Sequence, residues 1–499
     1  MGVENSRDAD FGVVTCICQS TYAFEGLPVK LIRVAAAVLN QTPLDWERNR
    51  ANILTAIDAA RHDKASILCL PELCITGYGC EDAFHAPHLH RDAWSVLESL
   101  RDSTKGMIVS VGLPVWHQGA LFNAAALLVD GEIVGLSAKQ NLAGDGIHYE
   151  PRWFKSWPAD RAVLTNQNGK AYPFGDLIYR VGDIAIGFEI CEDAWSVTRP
   201  GSSLANRGVD IILNPSASHF AFGKHQVRRR FVLEGARAFS VTYVYANLVG
   251  NEAGRAIYDG DAMIASHGEL IGLGPRFSFE PVAITSAVSD VDRTRLERAK
   301  RDSFQPNLND DHAEVDVPFE YPRIASIPVE PTEQERWEES PHEKEEEFSR
   351  AIALGLFDYM RKTRSRGFVV SLSGGADSAA VACLVAMSLR FARRQMGHER
   401  FIQALDYLAP ETFPTGETAD SEDADSEDAD SEDADSEASI VHKFLVCVYQ
   451  ATRNSGQVTF DAAEKLAAAI GSEFHCWEID DLVGGYRSLV EAAVDRSLT

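Results

Sequence analysis

The sequence predicts an α/β protein built from two layered domains. From residue 31 to about residue 290, short apolar runs such as LIRVAAAVL, GMIVSVGLP and VDIILNPSAS alternate with longer patterns such as DWERNRANILTAIDAARHD. The short runs are typical of buried strands, and the 3.6-residue spacing of the longer pattern is typical of amphipathic helices. A second helix–strand unit begins later, where EFSRAIALGLFDYMRKTRSRG is followed by FVVSLS. The chain of 499 residues is long enough for both cores.

Composition indicates where these units begin and end. Residues 1–30 form an extension before the first strand, and residues 31–295 make up the first domain. Residues 296–345 contain prolines and the acidic stretch EESPHEKEEEF, which is typical of a linker. Residues 346–499 begin the second domain. Within it, the repeat ADSED over residues 419–437 holds 11 acidic residues and no basic one, which predicts a disordered insertion.

Charge and cysteine content exclude several kinds of partner. The net charge is −27, from 47 basic and 74 acidic residues, and subtracting the 11 acids of the repeat leaves −16. Nucleic acids and anionic membranes repel such a chain, so we expect neither as a partner. The nine cysteines have no paired CxxC spacing. No secretory signal pattern and no apolar run of about 18 residues occurs, so we predict a cytoplasmic protein with reduced thiols.

Three reactive residues follow apolar strand patterns in the first domain. Glu72 follows ILCLP, Lys139 follows GEIVGLSA, and Cys191 follows DIAIGFEI. Strand ends are where sites gather in α/β sheets, because the loops there hold side chains over the edge of the sheet. A thiolate can attack an amide, a carboxylate can move the protons, and an ammonium group can stabilise the oxyanion. Each residue alone is commonly structural, and it is the joint pattern that indicates a site.

Three segments containing these residues resemble, in order, the signature segments of the nitrilase superfamily. They are LPELCITGYGCED, AKQNLAGDGIHYEPRWF and FEICEDAW. They are most similar to the glutaminase domain of glutamine-dependent NAD synthetases, which implies a nitrilase-type αββα sandwich. The resemblance implies that Glu72 is the general base, Lys139 the oxyanion stabiliser and Cys191 the nucleophile.

The same resemblance supplies three residues that bind or place the substrate. Glu150, in YEPRWF, matches a second acidic residue that helps to position the triad. Glu192, directly after the cysteine, and Ser218, in NPSAS, match residues that hold glutamine. The three histidines of FHAPHLH could suggest a metal. The nitrilase mechanism needs none, so we interpret this segment as a polar surface loop and expect no metal site.

The segment SLSGGADSAA, residues 371–380, predicts a phosphate-binding loop in the second domain. It follows an apolar strand, precedes a helical pattern and lacks the lysine of a Walker loop. Its glycines let backbone amides approach an anion, and its serines add hydroxyl donors at a helix N-terminus, where the helix dipole favours negative charge. The string SGGxDS resembles the loop of the ATP pyrophosphatases, a group that includes NAD, GMP and asparagine synthetases.

That second resemblance implies that ATP and Mg²⁺ bind in a Rossmann-like parallel-sheet domain of the adenine nucleotide alpha hydrolase type. The later segment VCVYQATRNSGQVTF is similar to the NAD synthetase strand whose TRNS sequence lies near the adenosine. The ATP-binding residues implied in this way are Ser373, Gly374, Gly375, Asp377, Ser378, Thr452, Asn454 and Ser455.

Together the resemblances imply a glutamine-dependent NAD synthetase, in which glutamine hydrolysis supplies ammonia for the ATP-dependent amidation of nicotinic acid adenine dinucleotide. They also imply a homo-oligomer. In that family the second domain continues past the position of Thr499, so we expect this half to be incomplete and unable to make NAD. Two alternatives are a stand-alone nitrilase-type amidase with a vestigial second domain and a non-catalytic assembly subunit. Intact Glu72, Lys139 and Cys191 argue against the second alternative.

Overall fold

The computed structural model describes residues 30–252, 254–308, 313–327, 335–409 and 439–497. The acidic repeat and nearly all of the predicted N-terminal extension lie outside these ranges. Within the described ranges, no helix combines the length and the apolar character that crossing a membrane requires.

The first domain is built from strands that alternate with helices. In chain order the strands are β1 (Leu31–Leu39), β2 (Ile67–Cys69), β3 (Ile108–His117), β4 (Ala120–Val129), β5 (Glu132–Ala138), β6 (Ala162–Gln167), β7 (Lys170–Gly175), β8 (Ile178–Val181), β9 (Ile184–Phe188), β10 (Ile211–Pro215), β11 (Thr242–Ala246), β12 (Val249–Asn251), β13 (Ile257–Asp259), β14 (Met263–Ser266), β15 (Glu269–Leu273), β16 (Val282–Asp290) and β17 (Glu314–Val317). The helices are α1 (Trp46–His62), α2 (Leu89–Leu100), α3 (Glu150–Trp153), α4 (Pro200–Asn206), α5 (Lys224–Phe239) and α6 (Val291–Lys300).

Most of these strands form two mixed sheets. The first sheet has the order β16-β1-β2-β3-β4-β5-β7-β6, and the second has the order β15-β14-β11-β10-β9-β8-β17. Strands β12 and β13 pair separately as a short ribbon. Because successive side chains of a strand point to opposite faces, β1 sends Val34 and Ala36 into the core between the sheets. Ile211 and Leu213 of β10 belong to the same core.

A helix layer covers the outer face of each sheet. Ala35 of β1 faces outward and clusters with Ile53 of α1. On the second sheet, Tyr243 of β11 clusters with Val232 of α5. The layers therefore run helix, sheet, sheet, helix, and the predicted αββα sandwich is confirmed.

Two segments differ from the strands that the apolar runs predict. The run AALLVDGEIVGLSA forms a hairpin, with β4 and β5 joined at Asp130 and Gly131, both of which have positive φ. Such a two-residue turn matches the twist of paired strands. Within the predicted linker 296–345, strand β17 pairs with β8 at the edge of the second sheet. The four residues of this strand, EVDV, are too few for alternation of polar and apolar side chains to distinguish a strand from a loop. The predicted bounds of the linker stay a prediction.

The second domain begins with a long helix and continues as a parallel sheet. Its elements are α7 (Glu343–Thr363), β18 (Phe368–Ser371), α8 (Ala376–Ala404), β19 (Leu445–Ala451), α9 (Gln457–Ile470), β20 (Glu473–Glu478) and α10 (Asp480–Val494). The sheet has the order β18-β19-β20, and both pairings are parallel. Parallel strands connected through helices agree with the predicted Rossmann-like unit. Helix α7 packs on α8 and also contacts the ribbon strands β12 and β13 of the first domain.

Candidate active site

Glu72 lies in the loop after β2, where the two sheets of the first domain meet. Its backbone N–H donates to the carbonyl oxygen of Ser216, in the loop after β10, at 3.3 Å. Its Oε1 accepts hydrogen bonds from Asn123 Nδ2 at 2.7 Å and from Lys139 Nζ at 2.6 Å. Its Oε2 is buried and accepts no hydrogen bond from any described residue. Burial raises the pKa of Glu72 to about 7, although Lys139 opposes the shift, so this carboxylate can exchange a proton near neutral pH.

Lys139, directly after β5, lies between two carboxylates. Its Nζ is 2.6 Å from Glu72 Oε1 and 2.7 Å from Glu150 Oε1, and its side chain is fully buried. Burial alone would lower the pKa of Lys139, but Glu150 and Glu72 raise it well above the usual value. An ammonium group has three N–H donors, and the two carboxylates use two of them. The third donor is available to an oxyanion.

Glu150, the first residue of α3, is held entirely by protein groups. Its Oε1 accepts a hydrogen bond from the hydroxyl of Tyr78 at 2.6 Å, in addition to the bond from Lys139. Its Oε2 accepts a hydrogen bond from the backbone N–H of Ala143 at 3.1 Å. Because both oxygens are engaged, the geometry favours a role in positioning Lys139 over direct contact with a substrate.

Cys191 opens a tight turn, Cys191–Ala194, which begins three residues after the end of β9 at Phe188. Its φ is +48°, a conformation that residues other than glycine adopt only where the surroundings impose it. Asp193 supplies that constraint. Its Oδ2 accepts a hydrogen bond from Ile190 N–H at 2.9 Å, and its Oδ1 accepts one from Asn141 N–H at 2.7 Å. The turn is therefore tied to the loop that follows Lys139.

The pKa of the Cys191 thiol depends on its burial and on the charges of Glu72 and Lys139. Burial raises the pKa of Cys191, Glu72 raises it further, and Lys139 lowers it. The thiol is thus protonated in the resting site and requires a base. After burial, Glu72 has the largest effect on the pKa of Cys191, as expected of a negative charge that opposes ionisation of the thiol.

Ser218 and Glu192, which the resemblance assigns to substrate, lie near the cysteine. The side chain of Asn247 holds both backbone groups of Ser218. Asn247 Oδ1 accepts a hydrogen bond from the Ser218 N–H at 2.8 Å, and Asn247 Nδ2 donates one to the Ser218 carbonyl at 3.0 Å. The Ser218 hydroxyl is buried and bonds to no described residue. A buried polar atom left unpaired costs about 1–3 kcal/mol, so this oxygen would gain from a polar group of a substrate. Glu192 is half-buried, and burial raises its pKa.

Lys224, the first residue of α5, also faces this site, although the strand patterns did not indicate it. Burial lowers the pKa of Lys224 to about 8, and the nearby Cys191 opposes that shift. Its Nζ lies 3.1 Å from Nδ1 of His219. A cation at a helix N-terminus opposes the helix dipole, and this local conflict is the signal that could have identified Lys224 from the sequence.

Two histidines connect Lys224 to the Glu150 cluster. Nδ1 of His219 lies 2.9 Å from Nε2 of His148, and Nδ1 of His148 lies 3.0 Å from the hydroxyl of Tyr78. Burial lowers the pKa of His148 to about 4 and that of His219 to about 3, so both rings are neutral at pH 7. Lys224 therefore supplies the positive charge of this group.

A cleft of about 410 Å³ opens next to Tyr78 and His148. Its walls also include Tyr149, Glu252 and Arg255, whereas Cys191 and Lys139 do not line it. Its volume suits a small molecule rather than a peptide.

The prediction that FHAPHLH forms a polar loop is only partly right: His85 and His88 are exposed, but Phe84 is buried, and Leu89 and His90 open α2. Within the described residues, no group of three or more His, Cys, Asp and Glu side chains is arranged to hold a metal ion. His90 stacks on Trp116, with a distance of 5.4 Å between the ring centroids.

The predicted phosphate loop lies at the carboxyl end of β18 and leads into α8. Gly374 has a φ of +75°, and a Cβ at this position would overlap the backbone oxygen of Thr459, so only glycine fits here. The N–H of Ser373 donates to Oγ of Ser378 at 3.2 Å, and the hydroxyl of Ser378 donates to the carbonyl of Gly375 at 3.1 Å. The serines thus hold the loop closed at the start of the helix.

The second set of predicted ATP-binding residues lies in the turn after β19. Thr452 O accepts a hydrogen bond from Ser455 N–H at 2.8 Å, and Thr452 Oγ1 accepts one from Asn454 N–H at 3.3 Å. Because β18 and β19 are parallel neighbours, this turn and the phosphate loop share one edge of the sheet. Asp377, in the first turn of α8, has an exposed carboxylate beside them.

The fold and the group formed by Glu72, Lys139 and Cys191 define the class of the first domain, a carbon–nitrogen hydrolase. Residues 33–301 match the family described as carbon-nitrogen hydrolase, and residues 348–424 match NAD synthase. A crystal structure of a glutamine-dependent NAD(+) synthetase from Cytophaga hutchinsonii is 39% identical, with a TM-score of 0.75, and the match covers 94% of this chain and 69% of that one. The chain belongs to the family of glutamine-dependent NAD(+) synthetases.

Curated relatives of that name agree along most of this chain. The protein from Oryza sativa subsp. indica is 30% identical over 485 residues, and the protein from Mus musculus is 31% identical over 475 residues. These matches cover 93% and 91% of this chain and 62% of each relative. The chain therefore spans about three fifths of the length of these curated relatives.

Proposed function

We propose that the first domain hydrolyses glutamine through a thioester on Cys191. The observation that carries this proposal is that the two carboxylate oxygens of Glu72 have different surroundings. Its Oε1 is held by Asn123 and Lys139, while its Oε2 is buried and accepts no hydrogen bond from any described residue. After burial, the charge of Glu72 is the largest cause that raises the pKa of Cys191. A carboxylate with a pKa of about 7 and one free oxygen is suited to take a proton from a thiol and to return it.

The reaction then follows from the roles of the three groups. Glu72 takes the proton of the Cys191 thiol, and the thiolate attacks the side-chain amide carbon of glutamine. The remaining N–H of Lys139 stabilises the oxyanion. Protonated Glu72 gives its proton to the leaving nitrogen, so ammonia departs and a glutamyl thioester remains. Glu72 next takes a proton from water, the water attacks the thioester, and the proton returns to the departing thiolate as glutamate leaves.

The α-groups of glutamine fit the polar side chains that surround the cysteine. We assign the α-carboxylate to Lys224, a half-buried cation at the start of α5, and the α-ammonium to Glu192. The Ser218 hydroxyl, which is buried and bonds to none of the described residues, would take a further hydrogen bond from the substrate. This arrangement favours glutamine over amides that lack the α-groups, because those would supply no opposite charge to Lys224 and Glu192.

We infer that the second domain carries the ATP-binding part of a site for the amidation of nicotinic acid adenine dinucleotide to NAD with the released ammonia. That the residues present here do not make NAD by themselves stays a prediction. The phosphate loop and the turn that contains Thr452 support the inferred ATP-binding part, since both lie at one edge of a parallel sheet. A homologue from Acinetobacter baumannii, 20% identical with a TM-score of 0.64, was solved in complex with ADP. Mg²⁺ usually binds through substrate phosphates and one or two carboxylates, and exposed Asp377 could provide one of them. The homo-oligomer and the cytoplasmic location stay predictions.

Trapping the intermediate tests the proposed hydrolysis. The purified chain is mixed with glutamine, quenched in acid and digested, and the peptide containing Cys191 is analysed by mass spectrometry. We expect a glutamyl adduct on Cys191 and none on the peptide of Cys476, an exposed cysteine that serves as an internal control. Equal adducts from simple aliphatic amides such as butyramide would favour a stand-alone amidase, and the absence of any adduct would contradict the thioester route.

A further inference from the structure

Helix α7 of the second domain places a buried ion pair against the first domain. The side chains of Asp358 and Lys362, one helical turn apart, are 1% and 2% exposed. Lys362 Nζ donates to Asn40 Oδ1 at 2.7 Å, to the Gln41 carbonyl at 2.9 Å and to the Asn251 carbonyl at 2.7 Å. Asp358 accepts hydrogen bonds from Asn251 N–H at 2.7 Å and from Asn40 Nδ2 at 3.0 Å. The pair therefore holds both backbone groups of Asn251, the last residue of β12.

The close approach at this point depends on the residue before Asn251. Gly250 has a φ of +91°, and a Cβ there would overlap the carboxylate of Asp358 and the amide of Asn40. Only glycine allows the ribbon to lie so close to α7 in this conformation. The contact between the ribbon and α7 is thus a close-packed, buried part of the interface between the two domains.

Glu252, the next residue, links this contact to the loop that follows Glu72. Its Oε1 accepts a hydrogen bond from Tyr78 N–H at 2.8 Å, and its Oε2 accepts one from Gly79 N–H at 2.8 Å. Burial disfavours the charge on Glu252, and Lys362 opposes that effect. A carboxylate that accepts two neighbouring N–H groups fixes both the position and the orientation of that loop.

Tyr78 completes the connection to the reacting groups. Its backbone is held by Glu252, and its hydroxyl donates to Glu150 Oε1 at 2.6 Å. The same oxygen of Glu150 accepts a hydrogen bond from Lys139 Nζ at 2.7 Å. A continuous series of short contacts therefore runs from Lys362 in the second domain to Lys139 in the first.

We propose that Asp358 and Lys362 are positioning residues for the Cys191 site. They fix Asn251 and Glu252, Glu252 fixes the loop of Tyr78, and Tyr78 orients the carboxylate that holds Lys139. The proposal rests on the glutamine hydrolysis proposed above. It makes the reactive geometry of the first domain depend on the first helix of the second domain. An error of about 1 Å in such geometry can lower a rate by about 10²-fold.

The same helix offers a matched control. Glu347 is buried near the other end of α7 and pairs with Arg276 of the first domain at 2.7 Å, but it makes no contact with the segment of Asn251, Glu252 or Tyr78 among its described hydrogen bonds. Glu347→Gln thus removes a buried charge from the same interface without touching the proposed route. Thermal melts show whether the control and test variants remain folded.

The test compares glutamine hydrolysis by the full chain with Lys362→Met, Glu252→Gln and Glu347→Gln. We expect Lys362→Met and Glu252→Gln to lower kcat by about 10- to 100-fold with little change in KM. We expect Glu347→Gln to stay within about threefold of wild type. Glu252→Gln preserves size and shape, so it decides the question if Lys362→Met does not fold. Wild-type kcat in both test variants would overturn the inference.

A double-mutant cycle separates positioning from a general loss of stability. If Lys362 acts through Tyr78, Lys362→Met should have little further effect on kcat in a Tyr78→Phe background, whereas independent effects would multiply. Multiplied effects would overturn the route through Tyr78. A wild-type chain without hydrolysis would overturn the proposed function, and the inference with it. Active wild type with unaffected variants would overturn the inference alone.

Discussion

Oε1 of Glu72 lies 2.6 Å from Nζ of Lys139, and both side chains are fully buried. Glu150 shares the same ammonium group, so two buried carboxylates face one buried cation. Burial and the second carboxylate raise the pKa of Glu72, and Lys139 limits the rise, which leaves a value of about 7. A base with this pKa is suited to the proposed proton transfer from the Cys191 thiol near neutral pH.

The pH dependence of kcat/KM for glutamine should be bell-shaped. Glu72 must be ionised to accept a proton, so activity should rise with pH through about 7. Lys224 must be protonated to bind the α-carboxylate, so activity should fall through about 8. Lys139 does not contribute to the alkaline limb, because its carboxylate neighbours raise its pKa well above this range. Steady-state kinetics across this range measure both limbs.

Lys224→Arg provides the control for the alkaline limb. A guanidinium stays protonated throughout this range, so the variant should keep the acid limb and lose the fall above pH 8. Lys224→Gln should raise KM for glutamine at all pH values. An unchanged alkaline limb in Lys224→Arg would show that another group titrates there and that Lys224 does not bind the carboxylate.

Lys139→Ala should lower kcat by about 10²–10³, with a modest change in KM, because it removes an oxyanion donor. It also leaves Glu72 and Glu150 buried without their shared cation, so the melting temperature should fall as well. Kinetics and a thermal melt on the same preparation separate these effects. A change confined to KM would mean that Lys139 binds the substrate and does not stabilise the transition state.

Gly374→Ala should destabilise the second domain more than Gly397→Ala does. Both glycines have positive φ, a strained conformation that costs other residues about 1–3 kcal/mol. At Gly374 the new Cβ would also overlap the backbone of Thr459, whereas at Gly397 nothing lies within 4 Å. Thermal melts of the two variants measure the difference. Equal losses would argue that the phosphate loop can shift away from α9.

The strand ends carried most of the information about the site in the sequence. Glu72, Lys139 and Cys191 each follow an apolar run, and their joint pattern, together with the three segments that resemble the nitrilase superfamily, predicted them as a site. Asn123, which donates to Glu72, and Asp193, which holds the cysteine turn, gave no such signal. Their roles come from contacts between strands and loops that are distant along the chain.

The connection from α7 to the site was beyond prediction for the same reason. Tyr78 and Glu252 are 174 positions apart, and Asn40 and Lys362 are 322 apart. Such pairs form only when the two sheets and the second domain pack together. The layered fold itself was predictable, because alternation of strands and helices is a local property.

Glutamate release by the purified chain tests the central claim most directly. Wild type, Cys191→Ala and Cys476→Ala are incubated with glutamine, and glutamate is measured over time. Cys476 is an exposed cysteine on β20, in the second domain, so its removal controls for the loss of a thiol. The account predicts equal release by wild type and Cys476→Ala and no release above background by Cys191→Ala. Release by Cys191→Ala at the wild-type rate would contradict it.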